Sequence, residues 1–371
     1  MHVFWRTLVK QLERWQSAFR HGPVARAAFV LGGLAIGIPV LLWLLGFDAE
    51  PAMAALWSGS VGSSYAIASG TLVRATPLIL TGLSVGLAFR AGVFNIGVEG
   101  QLLAGAAAAT AVAVIPAIGG GHVATLLALL AGAVAGAFWA GIAALLRVRF
   151  RVLEVLSTIL LNFVALYVVS YLVRGPLQEP LHVYPQSSTI APAERLPRLL
   201  PGSRLHAGFL ISLVLAAAVW WALRNTAAGF RIRATGANAE AARIAGGIDV
   251  RRTTAQVFLL SGAIGGLAGA IEVMGVTFAL YENLSPGYGY TGIAVALLAR
   301  LDPLGVIASG LLFGALEAGA SAMQRDAAVP SVVVSVIEAI IILATVIAWP
   351  SPVGRRDAAT RADSGATVEG T

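Results

Sequence analysis

The chain is expected to fold as an all-α membrane protein of about ten transmembrane helices. Three observations predict this. Hydrophobic residues make up 58% of its 371 residues and charged residues only 12%, where soluble domains carry roughly 25% charged. Apolar runs of bilayer-crossing length recur along the chain, and arginines collect in alternate connections between them. Mean hydropathy is +0.83. The 42 glycines fit the same class, because small residues let membrane helices approach backbone to backbone. Gly132 with Gly136, Gly262 with Gly266, and Gly265 with Gly269 are GxxxG pairs.

In chain order, Trp5, Leu8, Leu12, Trp15 and Phe19 recur at helical spacing among Arg6, Lys10, Arg14 and Arg20. This predicts an interfacial cytoplasmic helix over 1–22. Residues 23–350 form the transmembrane domain, and the apolar run 27–46 is read as a retained first span, with no clear A-x-A cleavage site after it. Further spans are expected at 66–89, 94–115, 122–146, 153–173, 205–223, 253–276, 281–298, 303–323 and 330–349. From a cytoplasmic N-terminus, alternation places Arg90, Arg147, Arg149, Arg151, the 224–252 loop, Arg300 and Arg355 inside, in accord with the positive-inside rule. The C-terminus is then cytoplasmic, and polar residues 351–371 read as a disordered tail. The longest external connection, 174–204, is rich in proline (Pro176, Pro180, Pro185, Pro192, Pro197) and reads as a surface connection, with a docking surface as the sharper alternative.

Several chemistries are excluded or disfavoured. The net charge of +7 is explained by topology, without a nucleic-acid-binding face. The single lysine, Lys10, cannot complete a GxxxxGK[ST] phosphate loop. There is no cysteine, and His2, His21, His122, His182 and His206 lack ligand spacing, so neither a metal site nor a catalytic residue is assigned and no cofactor is expected. The GxGxxG match at Gly287 precedes a membrane span and has no βαβ context.

Polar groups within the apolar body are costly unless they face a cavity or a partner. Asn95, Glu99 and Gln101 lie together in FNIGVEGQ among Gly92, Gly97 and Gly100. The glycines suggest a helix break at membrane depth, where freed backbone groups line water or ligand. Asn95 and Glu99, four apart, are expected on one helix face. These residues, with Asn162 and Tyr288, are the candidate substrate pathway. The competing reading is a tight fold feature in which Glu99 answers freed backbone N–H groups or neutralises Arg90. Glu154 is expected to pair with the nearby arginines, and Glu272, Glu317 and Glu338 read as packing or interface groups. The glycine-broken stretches at Asn95 and Gly287 suggest two pseudo-related halves with a central path.

The 224–252 loop carries its own helix signals. Asn238 can cap a short helix, Glu240 falls in its first turn and Arg243 in its last, and Gly246-Gly247 ends it. Ala241, Ile244, Ala245 and Ile248 recur at i, i+3, i+4 and i+7 and predict one apolar docking face.

At ATPLILTGLSVGLAFRAGVFNIGVEGQLLAGA (75–106), EVLSTILLNFVALY (154–167), Gly236-x-Asn238-x-x-Ala241-Ala242-x-x-x-Gly246-x-Ile248 and GYGYTGIAVALLARLDPLG (287–305), the chain resembles the permeases of bacterial ABC importers for simple sugars, nucleosides and branched-chain amino acids. The first and third blocks look most like the nucleoside (guanosine-type) branch. The resemblance implies a multi-pass permease of the bacterial inner membrane that works by alternating access. It also implies a cytoplasmic ATP-binding partner, a second permease (homologous or identical), an extracytoplasmic substrate-binding lipoprotein and surrounding lipid. It assigns Gly236, Asn238, Glu240, Ala241, Ala242, Arg243, Gly246 and Ile248 to a coupling helix that contacts the ATPase. The alternative is an ion-coupled secondary transporter of small polar solutes that uses an intramembrane carboxylate.

Overall fold

A computed structural model of the chain describes residues 37–115 and 121–330, together with 332, 333, 335–337, 339 and 340. The interfacial helix expected at 1–22 and the tail at 351–371 lie outside the described residues, as do most of the expected first and last spans and Glu338. By internal contacts the chain divides into two compact units, Met1–Ala55 with Met323–Thr371, and Leu56–Ala322. In the first unit Ile38, Leu42, Ala52, Val329 and Val333 are buried. The second unit holds every site discussed below.

The described residues are helical, with three isolated β-bridges and no strand. The α-helices are α1 (Ala49–Ser60), α2 (Leu72–Arg90), α3 (Val98–Ala113), α4 (Gly121–Phe150), α5 (Glu154–Val173), α6 (Gly208–Asn225), α7 (Ala227–Ala237), α8 (Ala239–Ile244), α9 (Val250–Glu272), α10 (Tyr288–Leu298) and α11 (Pro303–Asp326). Among the described residues, six segments are long and apolar enough to cross a bilayer: Ala66–Arg90, Gly121–Phe150, Glu154–Val173, Gly208–Asn225, Val250–Thr277 and Pro303–Asp326. Two more apolar helices, α3 and α10, are shorter. Both were expected to be longer, and each is shortened because the residues before it leave the helix: 91–97 before α3, and 280–287 before α10.

Close glycine packing sets the centre. A Cβ on Gly136 of α4 would collide with the Gly262 carbonyl of α9, one on Gly266 with the Gly132 carbonyl, and one on Gly269 with the Leu102 carbonyl of α3. The predicted GxxxG pairs therefore face one another and join α3, α4 and α9 with almost no side chain between their backbones. Helix α2 runs beside α10, with Gly292 against Thr81 and Gly82 against Val295.

Arginines mark one end of this bundle. Arg90, Arg147 with Arg149, and Arg224 occupy the last turns of α2, α4 and α6, where cations favour the helix dipole. Arg224 pairs with Asp302 at 3.7 Å. At the opposite end, α2 begins and α9 finishes in single π-helical turns, Ala66–Thr71 and Val273–Thr277. The proline-rich connection closes over this end. Ser187 N–H donates to Leu280 O at 2.8 Å, Ile190 N–H to Phe278 O at 2.8 Å and Leu196 N–H to Met274 O at 3.0 Å. The Arg195 guanidinium lies 4.2 Å from the Phe278 ring centroid. Arg174 holds Glu282 through two bonds of 2.6 and 2.9 Å, which keeps that exposed carboxyl down at about 2.

His206 is wedged beneath this connection against Gly208 and Gly275. Gly208 N–H donates to its Nδ1 at 3.2 Å, so the ring proton sits on Nε2, which is buried without a partner. Burial, with Arg204 adding to it, lowers its pKa from 6.5 to about 4.

Two predictions follow from this packing. Gly136→Ala should lower stability by about 2 kcal/mol or more, whereas Gly86→Ala, whose Cβ would meet only ordinary contacts at 3.9 Å, should be neutral or slightly stabilising; thermal unfolding in detergent compares them. Because folded His206 stays neutral while the unfolded ring binds a proton below 6.5, its contribution is intact above that pH and is lost as pH falls toward 4. Wild type should therefore lose about 2 kcal/mol between pH 7 and pH 5 relative to His206→Gln in the same melts.

Candidate functional site

The chain leaves the helix at Ala91 and re-enters it at Val98. Ala91, Gly92 and Val93 still bond back to the last turn of α2, but beyond them side chains supply partners to the backbone groups of Ile96, Gly97 and Gly100. Asn95 is fully buried and uses its whole amide. Its Nδ2 donates to Gln101 Oε1 at 3.2 Å and to Ser261 Oγ at 2.9 Å, while its Oδ1 accepts from Gly97 N–H and Gln101 Nε2, both at 3.0 Å. Ser261 also exchanges hydrogen bonds with Ser84, tying α9 to α2. Asn162, from α5, grips both sides of the break: its Oδ1 accepts from Gly100 N–H at 2.8 Å, and its Nδ2 donates to Ile96 O at 2.9 Å and to Tyr290 OH at 3.2 Å.

The second break meets the first here. Glu99 Oε2 accepts from Gly289 N–H at 2.7 Å, satisfying an orphan donor in the first turn of α10. Gly289 is required at this crossing because a Cβ there would collide with the Glu99 backbone N. Gly287, at φ +102, supplies the left-handed turn into α10, and Ser285 Oγ accepts from the Gly287 and Tyr288 N–H groups. The two glycine-broken stretches singled out in the sequence are thus in direct contact.

One expectation fails. Asn95 and Glu99 do not share a helix face, since Asn95 lies in the non-helical break while Glu99 is in the first turn of α3. Asn95 turns to Gln101 and Ser261, and Glu99 to Gly289. Glu99 answers a freed N–H, as the competing reading expected, but the N–H belongs to α10. Glu154 forms the expected ion pair with Arg147. Tyr288 is buried, one residue from the Glu99 contact. Ser84, Ser261 and Tyr290 were not singled out beforehand, since a lone hydroxyl in an apolar run gives no periodic signal.

At the arginine-rich end, the 224–252 loop folds into two helices. Thr226 caps α7 by accepting from Gly229 N–H at 3.0 Å. Asn238 caps α8, its Oδ1 accepting from Ala241 N–H at 3.0 Å, as expected. Glu240 and Arg243 pair across α8 at 2.6 Å, which lowers the carboxyl's pKa and raises the guanidinium's. The helix stops at Ile244, and Gly247 takes φ +60. The expected apolar face is corrected at one position. Ile244 is 68% exposed, with Ala241 and Ala245 also exposed, whereas Ile248 is only 8% exposed. The turn at Gly246-Gly247 breaks the helical register and folds Ile248 back, its N–H bonding Ala242 O at 3.1 Å. Gly236, ending α7, abuts the backbone of Arg90; a Cβ there would collide with the Arg90 carbonyl. The loop thereby touches the last turn of α2, next to the first break.

The family model described as branched-chain amino acid transport system / permease component matches residues 67–346. The glucose ABC transporter permease protein of Haloferax volcanii is 41% identical over 331 residues, 85% of this chain and 84% of that protein. The guanosine ABC transporter permease protein of Bacillus subtilis is 38% identical over 319 residues, covering 85% and 90% respectively. The nucleoside ABC transporter permease protein of Lactococcus lactis is 31% identical over 299 residues, covering 77% and 80%. No solved structure matches the chain.

Asn162→Ala should strand the Gly100 N–H and the Ile96 carbonyl and lower stability by about 3 kcal/mol, read by thermal unfolding in detergent, with faster amide exchange at Gly100.

Proposed function

The chain belongs to the permease-component family of branched-chain amino acid transport systems, a multi-pass membrane transport component and not an enzyme, and from that premise we propose that it admits nucleosides, or related simple sugars, by alternating access driven by a separate cytoplasmic ATPase. The observation that carries this reading is the identity to guanosine and glucose ABC permeases along 85% of the chain. The arginine-rich end is assigned to the cytoplasm, with both termini on that side of the cell membrane. There α8 is the coupling helix: Asn238, Glu240 and Arg243 shape it, Ala241 and Ile244 present its outer face, Ala242 and Ile248 pack beneath, and Gly246 opens the turn that ends it. Gly236 passes its displacement to the end of α2.

In this reading the substrate pathway runs through the layer where the two broken segments meet. Asn95, Glu99, Gln101 and Asn162 hold that layer together, and Tyr288 stands beside it. Apart from the bond of Gly97 N–H to Asn95, the bonds of the layer join separate elements, so a movement of α2 against α9, or of α3 against α10, opens it without unfolding a helix. Two short helices, each entered from a glycine-broken stretch and meeting near their N-termini, support two pseudo-related halves within a bundle of about ten spans. The assembly includes a second permease, identical or homologous, and an extracytoplasmic substrate-binding lipoprotein.

The test is reconstitution with the ATPase and receptor in proteoliposomes. ATP-dependent guanosine uptake that competing nucleosides, but not leucine, suppress is expected; uptake by the chain alone under an imposed pH gradient would sink the reading. Ile244→Asp should weaken ATPase association at least about tenfold, the loss of one buried apolar anchor, with the melting temperature unchanged. Ile248→Asp should instead lower the melting temperature, because it buries a charge beneath α8.

A further inference from the structure

Above the polar layer, toward the end closed by the proline-rich connection, is a second set of polar side chains that the bundle leaves unpaired. Glu272 is the last residue of α9, immediately before the π-helical turn Val273–Thr277, and is 5% exposed. It stands 11 residues beyond Ser261, about 16 Å along the helix. Among the described residues its carboxylate makes no hydrogen bond and no ion pair. Tyr288 is 7% exposed, and its hydroxyl likewise has no hydrogen bond among the described residues. Tyr288, Tyr281 and Glu272 lie within electrostatic reach of one another. Arg74, which follows the other π-helical turn and donates to Ser321 Oγ at 3.1 Å, and Arg204 both act on Glu272 without pairing to it.

A nearly buried carboxylate at membrane depth is expensive unless it faces water or a ligand, and single π-helical turns recur at functional sites. Arg74 and Arg204 oppose part of the burial cost of Glu272, and Glu317 acts on Tyr288 in the same neighbourhood, so two carboxyl groups stand against two arginines, a balance that suits a neutral solute rather than a metal ion or a cation. The bare groups comprise two acceptor oxygens of one carboxylate and the rings of two tyrosines. Adjacent hydroxyls of a sugar ring can donate to both oxygens of a carboxylate, and aromatic faces pack against sugar or base rings. Glucose and guanosine, named for two relatives, share that feature: neighbouring hydroxyls on a saturated ring.

We infer that Glu272 is the carboxylate that receives the paired hydroxyls of the transported sugar or nucleoside, with Tyr288 and Tyr281 as the aromatic wall of the same site. The inference rests on the permease reading above and deepens it. The pathway is then layered: a binding level at Glu272 and Tyr288, over the hydrogen-bonded closure of Asn95, Gln101 and Ser261.

The permease, reconstituted with its ATPase and receptor, is assayed for ATP-dependent uptake of guanosine and of 2′,3′-dideoxyguanosine. Wild type should prefer guanosine by about tenfold or more, and Glu272→Gln should raise the guanosine KM by about tenfold while bringing the preference to within about twofold. Tyr288→Leu, which removes the aromatic ring, should raise KM several-fold with the ATPase still bound. The preference is a ratio and is independent of how much folded variant is recovered. An unchanged preference in Glu272→Gln, or a wild type indifferent to the missing hydroxyls, overturns the assignment alone. No ATP-dependent uptake of guanosine or glucose by the wild-type assembly overturns the permease reading and this assignment with it.

Discussion

A peptide group without a partner costs on the order of several kcal/mol in hydrocarbon, and this chain abandons helical hydrogen bonding at two places within its apolar body. Both breaks hold because particular side chains answer the freed groups. Asn162 takes the Gly100 N–H and the Ile96 carbonyl, Asn95 takes the Gly97 N–H, and Glu99 takes the Gly289 N–H. The last bond matters most for architecture, since it is the point at which one break is stabilised by the other. The short helices α3 and α10, the approach of Gly289 to the Glu99 backbone and the placing of Tyr288 all depend on it.

The same economy connects the 224–252 loop to the interior. The turn at Gly246-Gly247 folds Ile248 under α8 and leaves Ile244 outside, so the helix is held from beneath while its outer apolar side chain stays available. Just ahead of α8, Gly236 presses backbone on backbone against Arg90, with no flexible side chain to absorb a displacement. Arg90 closes α2, and the first break begins at the next residue. A push on α8 therefore has a short, stiff route to the polar layer.

How much of this was readable beforehand differs from element to element. The long spans follow from hydropathy and length alone, and the cap, charges and stop of α8 follow from residue types at fixed offsets, so Asn238, Glu240, Arg243 and Gly247 behave as their chemistry dictates. Where one residue changed the period, the helical relation failed: the i, i+4 spacing that grouped Ile248 with Ile244 is interrupted by a glycine with positive φ. The glycines around Asn95 signalled a break, yet the helical offset between Asn95 and Glu99 was applied across it. Glu272 looked like any isolated acid in an apolar run. Its want of a partner is a property of separate elements meeting in space, which periodicity along one of them cannot express. The family match over 67–346 gives the fold and class of activity their names without reaching these side chains.

The glycine contacts among α3, α4 and α9 carry a mechanical consequence. Backbones that touch directly have no rotamers to rearrange, so these three helices can only travel as a welded block. Where α9 meets α2, by contrast, Ser84 and Ser261 trade hydroxyl bonds that water can replace one for one. The bundle thus has a seam that parts cheaply beside a joint that does not part at all, and the line of motion is drawn by which neighbours of α9 are glycine and which are serine.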